Sequence, residues 1–423
     1  MSDTPAATIQ RPAFLDAPAV AAVLASLPGA RAVGGCVRDA LAGRDSADVD
    51  IAAPFPPGEI AARLLAAGLK VFETGLAHGT VTAVKDRQPV EVTSLRRDVL
   101  TDGRHAVVEW TTDWREDAAR RDFTINAMSL APDGALFDYF SGLADLAAGK
   151  VRFVGNPDTR LAEDYLRALR FFRFQARYGT GEPDAAAVAA IRRAVPGLAR
   201  LSAERVWMEL KRILAVPDPV ATLGLMAETG VLGAVLPEAG APDVLLRLVA
   251  AGAPAEPLLR LAALLPEGVA TAAVAQRLKV SAEERSWLEA LRDVSAALIP
   301  GADDAAIRRA LARADATRLG APARLVLLRT WLAEAREVAP EADWPDLRKR
   351  IEAIVAEEGI PVFPLLGRDL IEEGIPPGPE MGRILTELRG WWLSDGCAAT
   401  REDCLAELRR RLAQGGGGTA LGG

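Results

Sequence analysis

Histidine and cysteine are scarce in this chain. Its 423 residues include two histidines, His78 and His105, and three scattered cysteines, Cys36, Cys397 and Cys404. A zinc site needs a cluster of Cys and His ligands at short, regular spacings. The sequence therefore excludes a zinc-type site, and any metal is expected to be a hard ion held by carboxylates.

Long apolar runs are also absent. No stretch approaches the ~18 apolar residues that a membrane-spanning helix needs, and Met1–Arg11 lacks the basic-then-apolar pattern of a secretory signal. We therefore expect a cytoplasmic protein without a membrane segment. Half of the residues are hydrophobic and a quarter are charged, which is typical of globular proteins. The length exceeds the roughly 250–300 residues of a single core, so more than one domain is expected.

The balance of charge is negative overall but not everywhere. A formal net charge of −7 argues against a protein that coats nucleic acid over its whole surface. The segment from Val151 to Ala215 nevertheless holds 12 Lys and Arg against 7 Asp and Glu. This local excess fits a partner that presents one charged end. A helical segment with arginines on its solvated face is the alternative that charge alone leaves open.

The segment from Ala32 to Ile51 predicts a strand, two glycines, a short helix and a second strand. Gly34 and Gly35 would let backbone N–H groups approach an anion at the start of a helix. Asp48 and Asp50 would share one face of the second strand. Two adjacent carboxylates repel unless a cation lies between them, and oxygen ligands suit Mg²⁺. The combination indicates phosphoryl or nucleotidyl transfer, although a plain turn and a solvated strand end stay open as alternatives.

The same residues resemble a known family. Gly34–Asp39 reads GGCVRD and is followed by Asp48 and Asp50, as in the opening motif of the polymerase-β-like nucleotidyltransferases. The pattern is similar to the class II branch, which holds CCA-adding tRNA nucleotidyltransferases and bacterial poly(A) polymerases. The resemblance implies that Asp48 and Asp50 are catalytic and hold Mg²⁺. It also implies a nucleotide-binding role for three residues, Gly34, Gly35 and Arg38.

A third carboxylate is expected on a neighbouring strand. Residues 89–94 alternate so that Glu91 shares a face with Thr93. In isolation Glu91 reads as an edge-strand residue in water. The run from Glu91 to Arg96, however, resembles the strand that carries the family's third catalytic carboxylate, and it would complete a two-metal site. The preceding run from Gly75 to Val81 resembles a stretch typical of CCA-adding members.

The polar segment from Arg96 to Ala119 predicts a long mobile loop, and such loops are usually functional or disordered. By resemblance, full CCA-adding enzymes have this loop, whereas relatives that add only CC have it shortened. Its presence, including Asp102-Gly103-Arg104, therefore favours an enzyme that also adds the terminal A.

A basic segment, Arg120–Met128, comes next and reads RRDFTINAM. Arg121 can clamp a phosphate through two N–H groups. Asp122 and Asn126 can hydrogen-bond a ribose hydroxyl or hold the loop. The segment closely resembles the family's second motif, which contacts the sugar and the triphosphate. The following Phe137–Leu146 resembles the hinge-like motif that joins the head to a helical neck.

A helix is predicted over residues 159–178. Asp164 and Arg167 would lie at i and i+3, where they could offer an acceptor and a donor to a nucleobase edge. A surface ion pair worth a few tenths of a kcal/mol is the common alternative. The run EDYLRALR resembles the family's amino-acid template for CTP and ATP, and Arg170 and Arg173 would approach the phosphates. The same arc is expected to form a pocket wall with Leu166, Phe171 and Phe174.

The remainder of the chain reads as helical. Ser202–Leu210 begins with a capping Ser and resembles the family's last motif, for which we expect a structural role. Beyond Pro217, Ala, Leu and Arg-rich helices alternate with Pro and Gly. Trp391 and Trp392 are expected in a core or an oligomer contact.

The predicted fold is α+β: a small, mixed-sheet, polymerase-β-like nucleotidyltransferase head followed by an all-α neck, body and tail. The predicted boundaries are a head at 1–150, a neck at 151–215, a body at 216–300, a tail at 301–413 and a flexible Gly-rich end at 414–423.

The resemblance implies a CCA-adding tRNA nucleotidyltransferase. Such an enzyme transfers CMP, CMP and AMP from CTP and ATP to the tRNA 3′ acceptor end by a two-metal mechanism with Mg²⁺. Two alternatives stay open. The first is a poly(A) polymerase or a partial adder of CC or A. The second is a non-catalytic tRNA- or RNA-binding protein on the same scaffold, which would have no need for three carboxylates facing a phosphate backbone.

Overall fold

The structure is a computed structural model that describes residues 3–45, 48–75, 79–101, 106–293, 297–337 and 343–415. The chain divides into two compact units, Met1–Pro237 and Glu238–Gly423. The predicted head, the predicted neck and the start of the predicted body thus lie in the first unit. The finer boundaries stay predictions. Within the described ranges, none of the helices combines the length and the apolar character needed to span a bilayer.

The strands all belong to the first unit. They are β1 (Ala7–Thr8), β2 (Arg31–Val33), β3 (Asp50–Ala53), β4 (Lys70–Gly75), β5 (Thr80–Lys85), β6 (Gln88–Ser94), β7 (Arg96–Thr101), β8 (Ala106–Trp110), β9 (Ser129–Leu130) and β10 (Ala135–Phe137).

The helices of the first unit are α1 (Pro18–Ser26), α2 (Gly35–Leu41), α3 (Pro57–Ala66), α4 (Trp114–Ala119), α5 (Gly142–Ala147), α6 (Pro157–Glu163), α7 (Leu166–Tyr178), α8 (Ala185–Ala194), α9 (Ala203–Leu214), α10 (Val220–Glu228) and α11 (Val231–Val235). Short 3-10 helices cover Ala13–Asp16, Thr124–Asn126 and Val195–Arg200.

A mixed sheet organises the first unit, as the sequence predicts. Its strand order is β1-β10-β9-β2-β3-β6-β5-β4, and within it the β3–β6 pair is parallel while its other pairs are antiparallel. Helices α1 and α3 pack on β5 and β6. Ile51 of β3 and Val90 and Val92 of β6 are buried in the core on that side, whereas Asp50 and Glu91 are exposed. Strand alternation thus leaves both carboxylates on the face away from this core.

The segment predicted as a loop, 96–119, contains regular structure. Strands β7 and β8 form an antiparallel ribbon in which Arg97 faces Glu109, and their side chains form an ion pair at 2.6 Å. Helix α4 follows and begins at Asp113, whose Oδ1 accepts the Arg115 N–H at 2.8 Å. The prediction was wrong here because cross-strand pairing and capping satisfy the polar residues. Asp102-Gly103-Arg104 lies outside the described residues.

The predicted helix over 159–178 is two helices, α6 and α7. Asp164 interrupts them in an extended conformation (φ −155°, ψ 108°), and its Oδ1 accepts the N–H of Leu166 at 3.1 Å. Aspartate side chains favour such local bonds over a continuous helix. Asp164 and Arg167 are therefore not an i,i+3 pair on one helix face, which corrects the predicted geometry.

The second unit is helical throughout its described part. Its helices are α12 (Asp243–Ala250), α13 (Pro257–Leu264), α14 (Thr271–Leu278), α15 (Ala282–Leu291), α16 (Asp304–Asp315), α17 (Pro322–Arg336), α18 (Trp344–Glu358), α19 (Gly367–Glu372), α20 (Pro379–Ser394) and α21 (Arg401–Gly415). Trp392 is buried in a core with Leu388 and Leu408, and Trp391 packs against that core, so the core expectation for both is confirmed. The Gly-rich end beyond 415 lies outside the described residues.

A close contact fixes the junction between α6 and α7. Tyr165, at this junction, lays its ring on Gly197 so that a Cβ at Gly197 would overlap three ring atoms. The 3-10 helix Val195–Arg200 can approach the junction this closely only because residue 197 has no side chain.

We expect Gly197→Ala to lower the free energy of unfolding by roughly 1–3 kcal/mol, because the added methyl group must displace the Tyr165 ring. Thermal unfolding measures the loss. Gly224→Ala is the matched control: Gly224 lies inside α10, where an added methyl group would meet open space, so stability should be unchanged or slightly higher. Equal stability of the two variants would contradict the role of this contact.

Candidate active site

The first unit contains a strongly cationic cleft of about 930 Å³. Ten arginines and three aspartates contribute to its wall. This charge ratio suits a polyanionic ligand such as a nucleoside triphosphate or an RNA backbone. The lining residues are Gly34, Gly35, Arg38, Arg44, Asp50, Arg120, Arg121, Asp122, Asn126, Asp164, Leu166, Arg167, Arg170, Arg173, Phe174, Arg177, Arg205, Arg212, Ala215, Val216 and Pro217.

Carboxylates from two adjacent strands meet beside this cleft. Asp50 begins β3 and is the direct neighbour of Glu91 in the parallel register with β6. Although Asp50 is exposed to the cleft, partial desolvation by the surrounding wall and the Glu91 carboxylate raise its pKa against the opposing charge of Arg121, and Asp48 raises it further. Asp48 and Glu91 do not themselves line the cleft but lie close enough to Asp50 to act on its charge. A cation here would relieve the repulsion among the three carboxylates.

The donor set fits a hard divalent cation. In the described part of the chain, no three His, Cys, Asp or Glu side chains converge into a complete metal cage. Mg²⁺ does not require one, because it is usually held by one or two carboxylates and takes its other ligands from phosphates and water. Asp48 and Asp50 supply that number of carboxylates with oxygen atoms only.

The two glycines of the opening motif allow close packing at the cleft wall. Gly34 has a φ of +73°, and a Cβ at this position would lie 3.0 Å from Nη1 of Arg121. A side chain at residue 34 would be strained and would crowd the guanidinium. The glycine therefore keeps Arg121 beside the start of α2, next to Asp50.

A hydrogen-bond network holds the predicted nucleotide-binding residues in place. Arg38 donates from Nη1 to Oδ1 of Asn126 at 2.5 Å, and Asn126 donates from Nδ2 to Oδ1 of Asp122 at 3.0 Å. Arg170 donates from Nε to Oδ2 of Asp122 at 2.7 Å. The other nitrogens of Arg38 bond Asp39 at 3.0 to 3.1 Å. Residues from α2, the Thr124–Asn126 turn and α7 are thus joined in one rigid wall.

Asp122 is ionised in this network. Burial alone would raise its pKa, but Arg170, Asn126 and the N–H of Phe123 stabilise the carboxylate, so the pKa is lowered. The pair Asp122–Arg170 connects the segment that follows α4 to α7. This pairing fixes the direction of the Arg170 guanidinium in the cleft wall.

Asp164 and Arg167 line the same cleft, although each is oriented by a different partner. Oδ2 of Asp164 accepts Nη2 of Arg205 at 2.6 Å. Arg167 pairs with Glu163 and donates from Nη1 to the carbonyl oxygen of Arg160 at 3.0 Å. Both side chains are partly exposed, at 23% for Asp164 and 15% for Arg167. Neither points into bulk water away from the carboxylates.

The remaining predicted wall residues divide into two groups. Arg173, Leu166 and Phe174 line the cleft, and burial lowers the pKa of Arg173 to about 10 despite the nearby Glu209 carboxylate. Phe171 is fully buried and packs against other aromatic rings, so its prediction as a wall residue was wrong. Contacts with the rings of Phe123, Phe153 and Phe172 hold the Phe171 side chain in the core instead.

Sequence reasoning missed five cleft arginines, which are Arg44, Arg120, Arg177, Arg205 and Arg212. Helical spacing in the sequence could have indicated two of these arginines. Arg205 and Arg212 are seven residues apart on α9 and so lie on one helix face. The structural role expected for Ser202–Leu210 stays a prediction, and Arg205 of this run also lines the cleft. Ser202 precedes α9 but makes no side-chain cap bond.

Two short parts of the predicted motifs lie outside the residues that the structure describes. Residues 76–78, with His78, and 102–105, with His105, lie outside the described residues. The stretch that resembles CCA-adding members at Gly75–Val81 is therefore described only at its two ends.

Two family models match the chain. One, described as the poly(A) polymerase head domain, matches residues 30–152. The other, described as the probable RNA and SrmB-binding site of polymerase A, matches residues 182–241. The first covers the sheet with its carboxylates, and the second covers α9 with Arg205.

Curated relatives and solved structures give longer matches. The zebrafish (Danio rerio) protein named CCA tRNA nucleotidyltransferase 1, mitochondrial, is 37% identical over 401 residues, which are 89% of this chain and 86% of the relative. The CCA-adding enzyme of Geobacillus stearothermophilus is 37% identical over 222 residues, or 52% of this chain and 53% of that protein. A crystal structure of the Bacillus stearothermophilus CCA-adding enzyme in complex with CTP superposes with a TM-score of 0.73 and 26% identity, covering 96% of this chain and 99% of that one. With such identity along most of both chains, this protein is an enzyme that belongs to the CCA tRNA nucleotidyltransferase family.

Proposed function

We propose that this enzyme adds CMP, CMP and AMP from CTP and ATP to the 3′ end of tRNA. The observation that carries the proposal is that one cleft contains Asp50, next to Glu91, together with Asp164 and Arg167 in an arginine-rich wall. A relative with this fold is a CCA-adding enzyme whose crystal structure is a complex with CTP, and the zebrafish relative carries the same activity in its name.

Base selection follows from the chemistry of the Asp164–Arg167 pair. Cytosine and adenine both present an exocyclic amino donor beside a ring-nitrogen acceptor. Uracil and guanine instead present a carbonyl oxygen at the position of the amino group. A carboxylate accepts from the amino group and a guanidinium donates to the ring nitrogen. The pair therefore accepts the two bases of a CCA end and rejects the other two, without a nucleic-acid template.

The transfer step requires the carboxylate side of the cleft. The terminal ribose oxygen of the tRNA forms a bond to the α-phosphorus, and the bond from that phosphorus to pyrophosphate breaks. Asp48 and Asp50 would hold Mg²⁺, with Glu91 beside them. When bound, the metal lowers the pKa of the attacking hydroxyl and neutralises charge on the triphosphate.

The arginines of the cleft wall would bind the triphosphate. Arg121 is held by Asp117 and by the carbonyl oxygen of Asn126, and Arg170 is held by Asp122. Asp122 and Asn126 would orient the ribose. Because these groups are fixed before substrate binds, little ordering is needed at the moment of transfer.

The tRNA would be held through its phosphates, because exposed arginines such as Arg44 and Arg177 continue the cleft and backbone contacts carry no sequence information. A cytoplasmic location stays a prediction of the sequence, while the zebrafish relative is named as mitochondrial.

We expect stepwise incorporation on a tRNA transcript that lacks its last three nucleotides. CTP alone should add two residues, CTP with ATP should add three, and UTP or GTP should add none, because only C and A match the base-reading pair. A sequencing gel resolves the products. Long tracts with ATP alone would instead identify a poly(A) polymerase, an activity that the description of the matching head domain also suggests. A stop after CC would identify a partial adder.

We expect Asp50→Asn to slow CMP incorporation on the order of 10²–10³-fold, the usual cost of removing one charge that stabilises a transition state. The variant should also need more Mg²⁺ for half-maximal rate. Its midpoint of thermal unfolding should be equal or higher, since repulsion from Glu91 is lost. Asp133→Asn is the matched control, since Asp133 is an exposed turn residue that accepts the Ala135 N–H. A wild-type rate for Asp50→Asn would disprove the assigned chemistry.

A further inference from the structure

We propose that Arg205 determines base discrimination by orienting the carboxylate of Asp164. The inference rests on the proposed function, since it assigns a residue to the base-reading pair. Arg205 lies on α9, 41 residues further along the chain than Asp164, and it lines the cleft beside it. It is a positioning residue, because it acts through Asp164.

The contacts of Asp164 show why orientation matters. Its Oδ1 accepts the backbone N–H of Leu166 at 3.1 Å, and its Oδ2 accepts Nη2 of Arg205 at 2.6 Å. These two bonds to different oxygens fix the rotation of the carboxylate. Each oxygen keeps a further lone pair for the amino group of an incoming base. The Leu166 bond alone holds one oxygen and leaves the other free to turn.

The other half of the pair is held independently. Arg167 is anchored by Glu163, by the carbonyl oxygen of Arg160 at 3.0 Å and by that of Arg120 at 3.4 Å. None of these contacts involves α9. Loss of Arg205 should therefore release the acceptor while the donor stays in place.

Helix α9 supports the cleft wall at a second point. Glu209, one turn beyond Arg205, lies 3.3 Å from Nε of Arg173, and its Oε1 accepts Nη1 of Arg212 at 3.2 Å. One face of α9 thus supports both a base-reading residue and an arginine of the wall. This arrangement gives the helix a role in specificity as well as in packing.

Release of the Asp164 carboxylate from Arg205 should weaken the selection of cytosine and adenine over uracil and guanine. Discrimination against uracil and guanine requires an acceptor placed opposite their carbonyl oxygen, where the two repel. If Asp164 turns away, that repulsion is lost, and only the opposition between the Arg167 guanidinium and the ring N–H of uracil or guanine remains. Misincorporation should then rise at the same time as incorporation of the correct nucleotide falls.

The test compares kcat/KM for UTP and CTP on the same tRNA transcript. We expect Arg205→Gln to reduce the CTP:UTP ratio at least tenfold, and Arg205→Lys to restore part of it because the cation is kept. Arg193→Gln is the matched control: Arg193 pairs with Asp158 on the surface outside the cleft, so the ratio should stay at its wild-type value. Thermal unfolding verifies that each variant is folded.

A double-mutant cycle with Asp164→Ala separates positioning from a general effect on stability. If Arg205 acts through Asp164, adding Arg205→Gln to Asp164→Ala should not change the CTP:UTP ratio further. Additive losses, or an unchanged ratio in folded Arg205→Gln, would overturn the inference. If instead the wild-type enzyme incorporates neither CTP nor ATP, the proposed function fails before this comparison is reached.

Discussion

The parallel pairing of β3 with β6 is the constraint on which the active site depends. It places Asp50 directly beside Glu91, a position that two carboxylates would not adopt without a reason, since each raises the cost of ionising the other. The buried alternation of Ile51, Val90 and Val92 enforces the pairing, because a slip of one residue would turn these side chains out of the core. The core thus holds two carboxylates side by side, and the positive charge of Arg121 offsets part of their repulsion.

The residues proposed to read the base, Asp164 and Arg167, depend on a second constraint, which is the interruption between α6 and α7. Asp164 leaves the helical conformation between α6 and α7, and its junction is held by the contact of Tyr165 with Gly197 and by the bond from Arg205. A continuous helix would place Asp164 and Arg167 on one face, where the two side chains could pair with each other. The break instead gives each a separate protein partner and leaves both facing the cleft.

These two constraints differ in how far sequence could predict them. The alternation around Glu91 follows from strand periodicity within a few residues, and the family motifs added the order of the elements. The predicted strand face shared by Asp48 and Asp50 is not formed, because β3 begins at Asp50 and Asp48 precedes it. The break at Asp164 combines a local bond to the Leu166 N–H with contacts to Gly197 and Arg205, which are distant along the chain. The ribbon of β7 and β8 likewise depends on pairing between separate segments, so local polarity suggested a loop. Periodicity predicts local geometry, whereas these features arise from tertiary contacts.

The placement of the charged residues explains how a chain with a net charge of −7 presents a cationic cleft. Buried acids stand behind the arginines of the wall: Asp117 holds Arg120 and Arg121, and Asp122 holds Arg170. The pKa of both aspartates is lowered, since their arginine partners outweigh the effect of burial. An acid paired with an arginine in this way fixes the orientation of the guanidinium in the cleft wall. The acidic residues of the first unit therefore help to build the anion-binding surface, which a count of charges along the sequence cannot reveal.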